Sequence, residues 1–317
     1  MDYRTAFIAS RRTTWFDICC QSLKDQINDN CVLYLDGPVS DKNISQNLQT
    51  YKKHFPHGEV VNLSFENYQP LLAWVFLDNF KNPKSELLFI VEDDLIFSHN
   101  YIEQLKILYN HTKNNDKFVS WSCFSRASLG MSVDRLVANS RKAVWQHNHI
   151  GSMIDMKKLK EVGEDHLSYF LSECNNNPWN VATKNIVKYM FEYMDYAYPI
   201  PPSPEDDHIR FITSIGIDSF YCQGIIEHVG KKYRAGAIYN KLKHLGVGGR
   251  DDVHGQVQSF YDHEWHKLNY IEDLVPTLDD VDEDYFDKIL MKRSSHKKIR
   301  SLDDYNAWVA EDKWEIS

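Results

Sequence analysis

Glu86-Leu87-Leu88-Phe89-Ile90-Val91-Glu92-Asp93-Asp94 is an apolar run that stops abruptly in three acids. Continuous apolar runs of this kind belong to central parallel strands, which are buried on both faces. Ligands of open α/β sheets gather beyond the carboxyl ends of the strands, so acids placed there have access to a site. The run therefore predicts both a fold and the edge of that fold where chemistry would occur.

The flanking sequence agrees with a parallel sheet. Thr5 to Ser10 is a short apolar run passing into small polar residues, and Trp15 to Leu23 carries apolar positions at helical spacing. Cys31 to Leu35 is a second β-rich run closed by the turn signal Asp36-Gly37-Pro38. Strand, helix, strand is how a parallel α/β sheet opens. The segment Tyr68 to Phe80 predicts an amphipathic helix beginning just after Pro70. Beyond the acids, Ser98 is the expected N-cap of a helix holding Tyr101, Leu105 and Leu108, and Lys117 to Ser122 is a further strand. Ser125 to Asn148 reads as a long loop, and long irregular segments within a domain are more often functional than decorative.

Composition narrows the class. With 317 residues, 43% hydrophobic and 13% aromatic, the chain has the apolar surface of an ordered protein. That length suits one large α/β domain plus an appendage. The C-terminal part from about Phe260 turns acidic and aromatic and is expected to be a helical extension. A net charge of −9 disfavours a general affinity for polyanions, although basic stretches run from Lys231 to Arg250 and from Lys292 to Arg300. No stretch approaches the roughly 20 apolar residues of a membrane-spanning helix. Charged Asp2 and Arg4 do not fit a signal peptide, so a soluble, cytoplasmic protein is expected. Six cysteines without CxxC spacing predict reduced, mostly buried thiols.

Three constellations carry candidate chemistry. Asp94, with Asp93 beside it, suits a hard cation such as Mn²⁺ or Mg²⁺, which takes oxygen ligands and leaves positions open for substrate phosphates. Helix capping is the bland alternative for these acids. In Glu205-Asp206-Asp207-His208-Ile209-Arg210, Asp206 is the first candidate for a general base and Asp207 the second; acids favoured by a helix dipole would give the same pattern. Gly224 to Gly230 ends in His228 before Val229 and Gly230. A neutral imidazole there could join a metal shell or contact a diphosphate, whereas a lone histidine in an apolar run is commonly structural.

The order of these features resembles the GT-A glycosyltransferases, in particular the inverting family 2 type and the N-acetylglucosaminyltransferase I group, over roughly residues 4 to 234. Val91-Glu92-Asp93-Asp94-Leu95 is the closest match to that group. The resemblance implies a three-layer α/β/α, Rossmann-like GT-A fold with a mostly parallel central sheet. It implies that Asp94 binds the metal while Glu92 and Asp93 contact ribose, donor sugar or the metal shell. By the same likeness, Ser10-Arg11-Arg12 meets the nucleotide, Asp36 accepts from a uracil ring, and Gly151 begins the segment under the donor sugar. A helix follows that segment, with Gly163 at its end. Glu205-Asp206-Asp207 with Arg210 is similar to the pair that supplies the base, and His228 to the late histidine.

The expected domains are a catalytic unit over 1–255, with a nucleotide-sugar half (about 1–125) and an acceptor half (about 126–255), and a helical extension over 256–317. The implied activity is inverting hexosyl or N-acetylhexosaminyl transfer from a UDP-sugar with a divalent metal, in a bacterial or viral cytoplasmic enzyme. Acceptors that the residues admit are a glycan, a lipid-linked saccharide or a hydroxymethylated base of viral DNA. A non-catalytic nucleotide-sugar-binding protein and a metal hydrolase are the rival readings.

Overall fold

The computed structural model describes residues 1–65, 67–97, 99–116, 118–123, 151–196, 198–199, 216–217, 220–231, 233–236, 242–244 and 298–299. The first strand, β1 (Tyr3–Ala9), is followed by α1 (Thr13–Leu23), β2 (Cys31–Asp36), α2 (Lys42–His54) and β3 (Glu59–Leu63). Next come α3 (Tyr68–Lys81), β4 (Leu87–Glu92), β5 (Leu95–Phe97), α4 (Tyr101–Thr112) and β6 (Phe118–Ser122). Then β7 (Met153–Asp155) leads directly into α5 (Met156–Asn176) and α6 (Trp179–Tyr193). The remaining pieces are β8 (Tyr198–Pro199), a π-helix (Phe220–Val229), β9 (Tyr233–Gly236), β10 (Leu242–His244) and β11 (Lys298–Ile299).

The main sheet has seven strands in the order β3-β2-β1-β4-β7-β6-β9. All neighbouring pairs are parallel except those of β7, which is antiparallel to both β4 and β6. Alternating side chains divide the core into two layers, as the two-residue period of a strand requires. Ala6, Ile8, Val32, Tyr34, Leu88 and Ile90 face α3, α5, α6 and the π-helix. Phe7, Ala9, Leu33, Leu35, Phe89 and Val91 face α1, α2 and α4. The result is the mostly parallel three-layer α/β/α architecture expected from the sequence.

Several local expectations need correction. α3 begins at Tyr68, before Pro70 rather than just after it, and Asn67 caps it, its side chain accepting from the Gln69 amide at 3.0 Å. Pro70 sits inside the first turn, where a missing N–H costs nothing. Asn100 precedes α4 and supplies no side-chain cap; Ser98 lies outside the described residues. Gly163 lies well inside α5 instead of at its end. A Cβ there would meet Ile225 Cγ2 of the π-helix at 3.0 Å, so glycine permits the two helices to approach. α2 and β3 are elements beyond those expected from the sequence.

Only Lys298 and Ile299 of the expected C-terminal extension are described, as a short strand pairing with Tyr198–Pro199. The long loop at 125–148 lies outside the described residues. All six cysteines are free thiols; five are buried and Cys174 is half-buried. Among the described residues no helix is long and apolar enough to cross a membrane.

Candidate active site

Because β1, β2 and β4 run parallel, their carboxyl ends lie along one edge of the sheet. β2 lies on one side of β1 and β4 on the other, so the edge beyond β1 and β4 is the switch point of the topology. The loop Ser10-Arg11-Arg12 leaves β1 there and draws the other elements together. The Ser10 amide donates to Asp93 Oδ2 at 3.2 Å, and its hydroxyl donates to the Asp36 carbonyl at 3.4 Å. The Ser10 carbonyl accepts from Asn47 Nδ2 of α2 at 2.7 Å. Arg11 Nε donates to Asp41 Oδ2 at 3.0 Å, and the same aspartate caps α2 by accepting from the Asn43 and Ile44 amides.

Arg12 closes the group. Its Nη1 donates to Asp94 Oδ2 at 2.5 Å and to Asp93 Oδ1 at 3.2 Å, while the Trp15 ring centroid lies 6.0 Å from the guanidinium carbon. Side-chain exposure is 27% for Arg12 but only 9% for Asp93 and 3% for Asp94, so the cation reaches the acids from the solvent side. Burial pushes the Asp93 carboxyl up to about 7, with Asp94 adding to the rise and Arg12 opposing it. Below the pair, the Cys19 thiol is driven well up by burial and by its neighbours Cys20, Asp93 and Asp94, which keeps it protonated.

Asp36 ends β2 and is 2% exposed. Gly37 follows at φ +132°, a conformation that side chains rarely adopt, and lets the chain turn beneath Ile44. Gly151 is also brought to this edge. It has φ +54° and precedes β7, which pairs antiparallel with β4, and the Ile90 amide donates to the Ser152 carbonyl at 2.9 Å. The Tyr101 hydroxyl donates to the Gly151 carbonyl at 2.5 Å and accepts from the Cys123 amide at 3.3 Å. The tyrosine is fixed by the rings of Phe89 and Phe97.

The structure thus gathers Ser10, Arg11, Arg12, Asp36, Glu92, Asp93, Asp94 and Gly151 along one edge. It does not bring His228 there. β9 is parallel to β6 and hence to β4, so the segment before Tyr233 leads in from the opposite edge. His228 Nδ1 instead lies 3.0 Å from the Asp195 carbonyl, with the ring against Tyr196. The chain returns after β9: β10 pairs with β5 so that His244 stands opposite Leu95, next to Asp94 in sequence. In the sequence this segment is marked only by its basic residues. Asp206, Asp207 and Arg210 lie outside the described residues.

The donor set fits a hard cation. Two buried carboxylates with a guanidinium already seated on their oxygens form a site for positive charge, and such ions are commonly held by one or two carboxylates plus substrate phosphates. No cluster of three or more potential metal-binding side chains occurs among the described residues.

No protein-family model matches the chain, and no curated protein matches it. Solved structures with similar shape include glycosyltransferases. One is the mannosyltransferase PcManGT from Pyrobaculum calidifontis in complex with GDP-Man and Mn²⁺, at 10% identity and TM-score 0.37; the match covers 61% of each chain, about three-fifths of that enzyme's length. Another is glucosyl-3-phosphoglycerate synthase from Mycobacterium tuberculosis, at 10% identity and TM-score 0.39, covering 84% of this chain and 79% of that one. The galactosyltransferase LgtC, in complex with donor and acceptor sugar analogues, matches at 11% identity and TM-score 0.38, covering 90% and 99%.

Proposed function

We propose that this chain is a glycosyltransferase that moves a sugar from a UDP-sugar to a hydroxyl acceptor, with a divalent cation held at Asp94 and Asp93. The observation that carries the reading is the buried carboxylate pair at the carboxyl end of β4, at the sheet's switch point, organised around positive charge. A divalent ion bound there supplies Lewis-acid stabilisation of the leaving diphosphate. Ser10 and Arg12 line the approach from β1, and Asp36 is the candidate acceptor from the base ring. Gly151, pinned by Tyr101, forms a side-chain-free floor at which a donor sugar can lie close to backbone. Asp206 is the proposed general base that takes the proton of the attacking hydroxyl, with Asp207 as its alternate, so that transfer inverts the anomeric centre. Arg210 would steady the phosphates.

The test is UDP release from a panel of UDP-sugars with Mn²⁺ and a panel of acceptors: free saccharides, lipid-linked saccharides and hydroxymethylated duplex DNA. Release should depend on an acceptor and vanish in Asp94→Ala. Asp206→Asn should lower turnover by about 100-fold or more while sparing donor affinity. Release that no acceptor accelerates would make the protein a hydrolase, and tight donor binding without any turnover would make it a binding module.

A further inference from the structure

Arg12 occupies the oxygens that the proposed function assigns to a metal ion. Its Nη1 touches both Asp94 Oδ2 and Asp93 Oδ1, and those carboxylates are nearly sealed from solvent beneath it. A guanidinium and a divalent ion cannot share these oxygens, because like charges at such range repel strongly where little water screens them. The Asp93–Arg12 contact is further tied to the nucleotide side of the site: the Ser10 amide holds the other Asp93 oxygen, two residues before Arg12 in the same loop. Arg12 is the residue from which α1 starts and makes no side-chain cap, so its side chain can turn outward without uncapping the helix. Outside, the natural partner for a displaced guanidinium is a diphosphate, which it binds with charge-assisted hydrogen bonds.

We infer that Arg12 is an internal counter-cation: it closes Asp93 and Asp94 to divalent ions until a nucleotide diphosphate draws it away, so that nucleotide and metal bind cooperatively. This rests on the reading of Asp94 as a metal-binding residue. Two cations contend for one pair of carboxylates, and the nucleotide decides between them. By linkage, whatever factor the nucleotide adds to metal affinity the metal returns to nucleotide affinity.

The experiment is a Mn²⁺ titration of the full chain, first without nucleotide and then with UDP, read as the loss of the free-ion paramagnetic resonance signal, for wild type, Arg12→Gln, Arg12→Lys and Asp94→Ala. Arg12→Gln should bind Mn²⁺ at least about 10-fold more tightly than wild type, a coupling of the size usual between linked sites. Its thermal midpoint should also rise more on adding Mn²⁺. Arg12→Lys keeps the charge but carries it on a compact, strongly hydrated ammonium that seats less readily on buried acids, and should fall between them; it carries the test if Arg12→Gln does not fold. If Arg12→Gln, or Arg12→Lys in its place, binds no more tightly than wild type while Asp94→Ala loses binding, the counter-cation role is overturned and the metal site stands. If no Arg12 variant binds Mn²⁺ and UDP confers no binding on wild type, the metal reading itself fails.

Discussion

At the scale of single residues, the acids that end β4 could be read from the sequence because an apolar run stopped at them. The cation seated on them could not. Arg12 lies some eighty positions earlier, and nothing in local periodicity states which acid an arginine will meet. His228 differs: its place in the order of motifs suggests metal binding, whereas chain direction at β9 leads its segment in from the other edge, and its Nδ1 lies 3.0 Å from the Asp195 carbonyl. Tyr101 was legible only as a helix position, yet its hydroxyl serves two buried backbone groups, the Gly151 carbonyl and the Cys123 amide. Tyr101→Phe should therefore cost about 1–3 kcal/mol, the usual penalty for leaving buried polar groups unpaired, measured by urea unfolding. A loss under a few tenths would show that water replaces the hydroxyl.

Among elements, the strands were easier to read than the helices because β1, β2 and β4 are buried on both faces and their apolar runs are unbroken. α2 escaped notice since its buried face consists of Ile44, Asn47 and Tyr51 among many polar residues. The signal that could have found it is Asp41, which precedes the helix and caps two of its amides. α1 and α2 are also joined by His54 Nε2 and Asp17 Oδ1 at 2.9 Å, and the histidine holds the Asp17 carboxyl below the usual carboxylate range. A depressed acid stabilises the fold above its unfolded pKa of about 3.9 and loses that contribution as pH falls through the lower folded value. Asp17→Asn should therefore be less stable than wild type at neutral pH, by no more than about 1 kcal/mol because the Asp17 carboxylate is itself partly exposed, and should lose less on acidification. Parallel acid limbs for the two proteins would contradict this. Where α5 meets the π-helix, Gly163→Val would push a branched side chain into Ile225, and overpacking of this kind should cost about 1–3 kcal/mol in thermal or urea unfolding. An unchanged midpoint would show that the two helices can part without loss.

For the molecule as a whole, the sequence reached the fold class through the strand-helix-strand opening and the central apolar run. It did not reach the sheet order. Nothing in the pattern of Met153 to Asp155 distinguishes an antiparallel insertion between β4 and β6 from another parallel strand, because a short apolar run carries no direction and the connection from Ser122 is long enough for either. That insertion brings Gly151 alongside the acids. The two core layers meet through the sheet, and Phe89, wholly buried on the α1–α2–α4 side, packs against Phe97 and Tyr101 directly behind the site. Phe89→Ala should cost about 3–5 kcal/mol in urea unfolding. It should also weaken donor binding by loosening Tyr101, whereas a stability loss with donor affinity intact would separate core from site. The claim beneath all of this is that positive charge at Asp93 and Asp94 secures a nucleotide diphosphate. It is met most directly by calorimetric titration of UDP into wild type and Asp94→Ala, each with Mn²⁺ and with chelator. The expected result is Mn²⁺-dependent binding in wild type that Asp94→Ala loses; equal binding in all four titrations would contradict it.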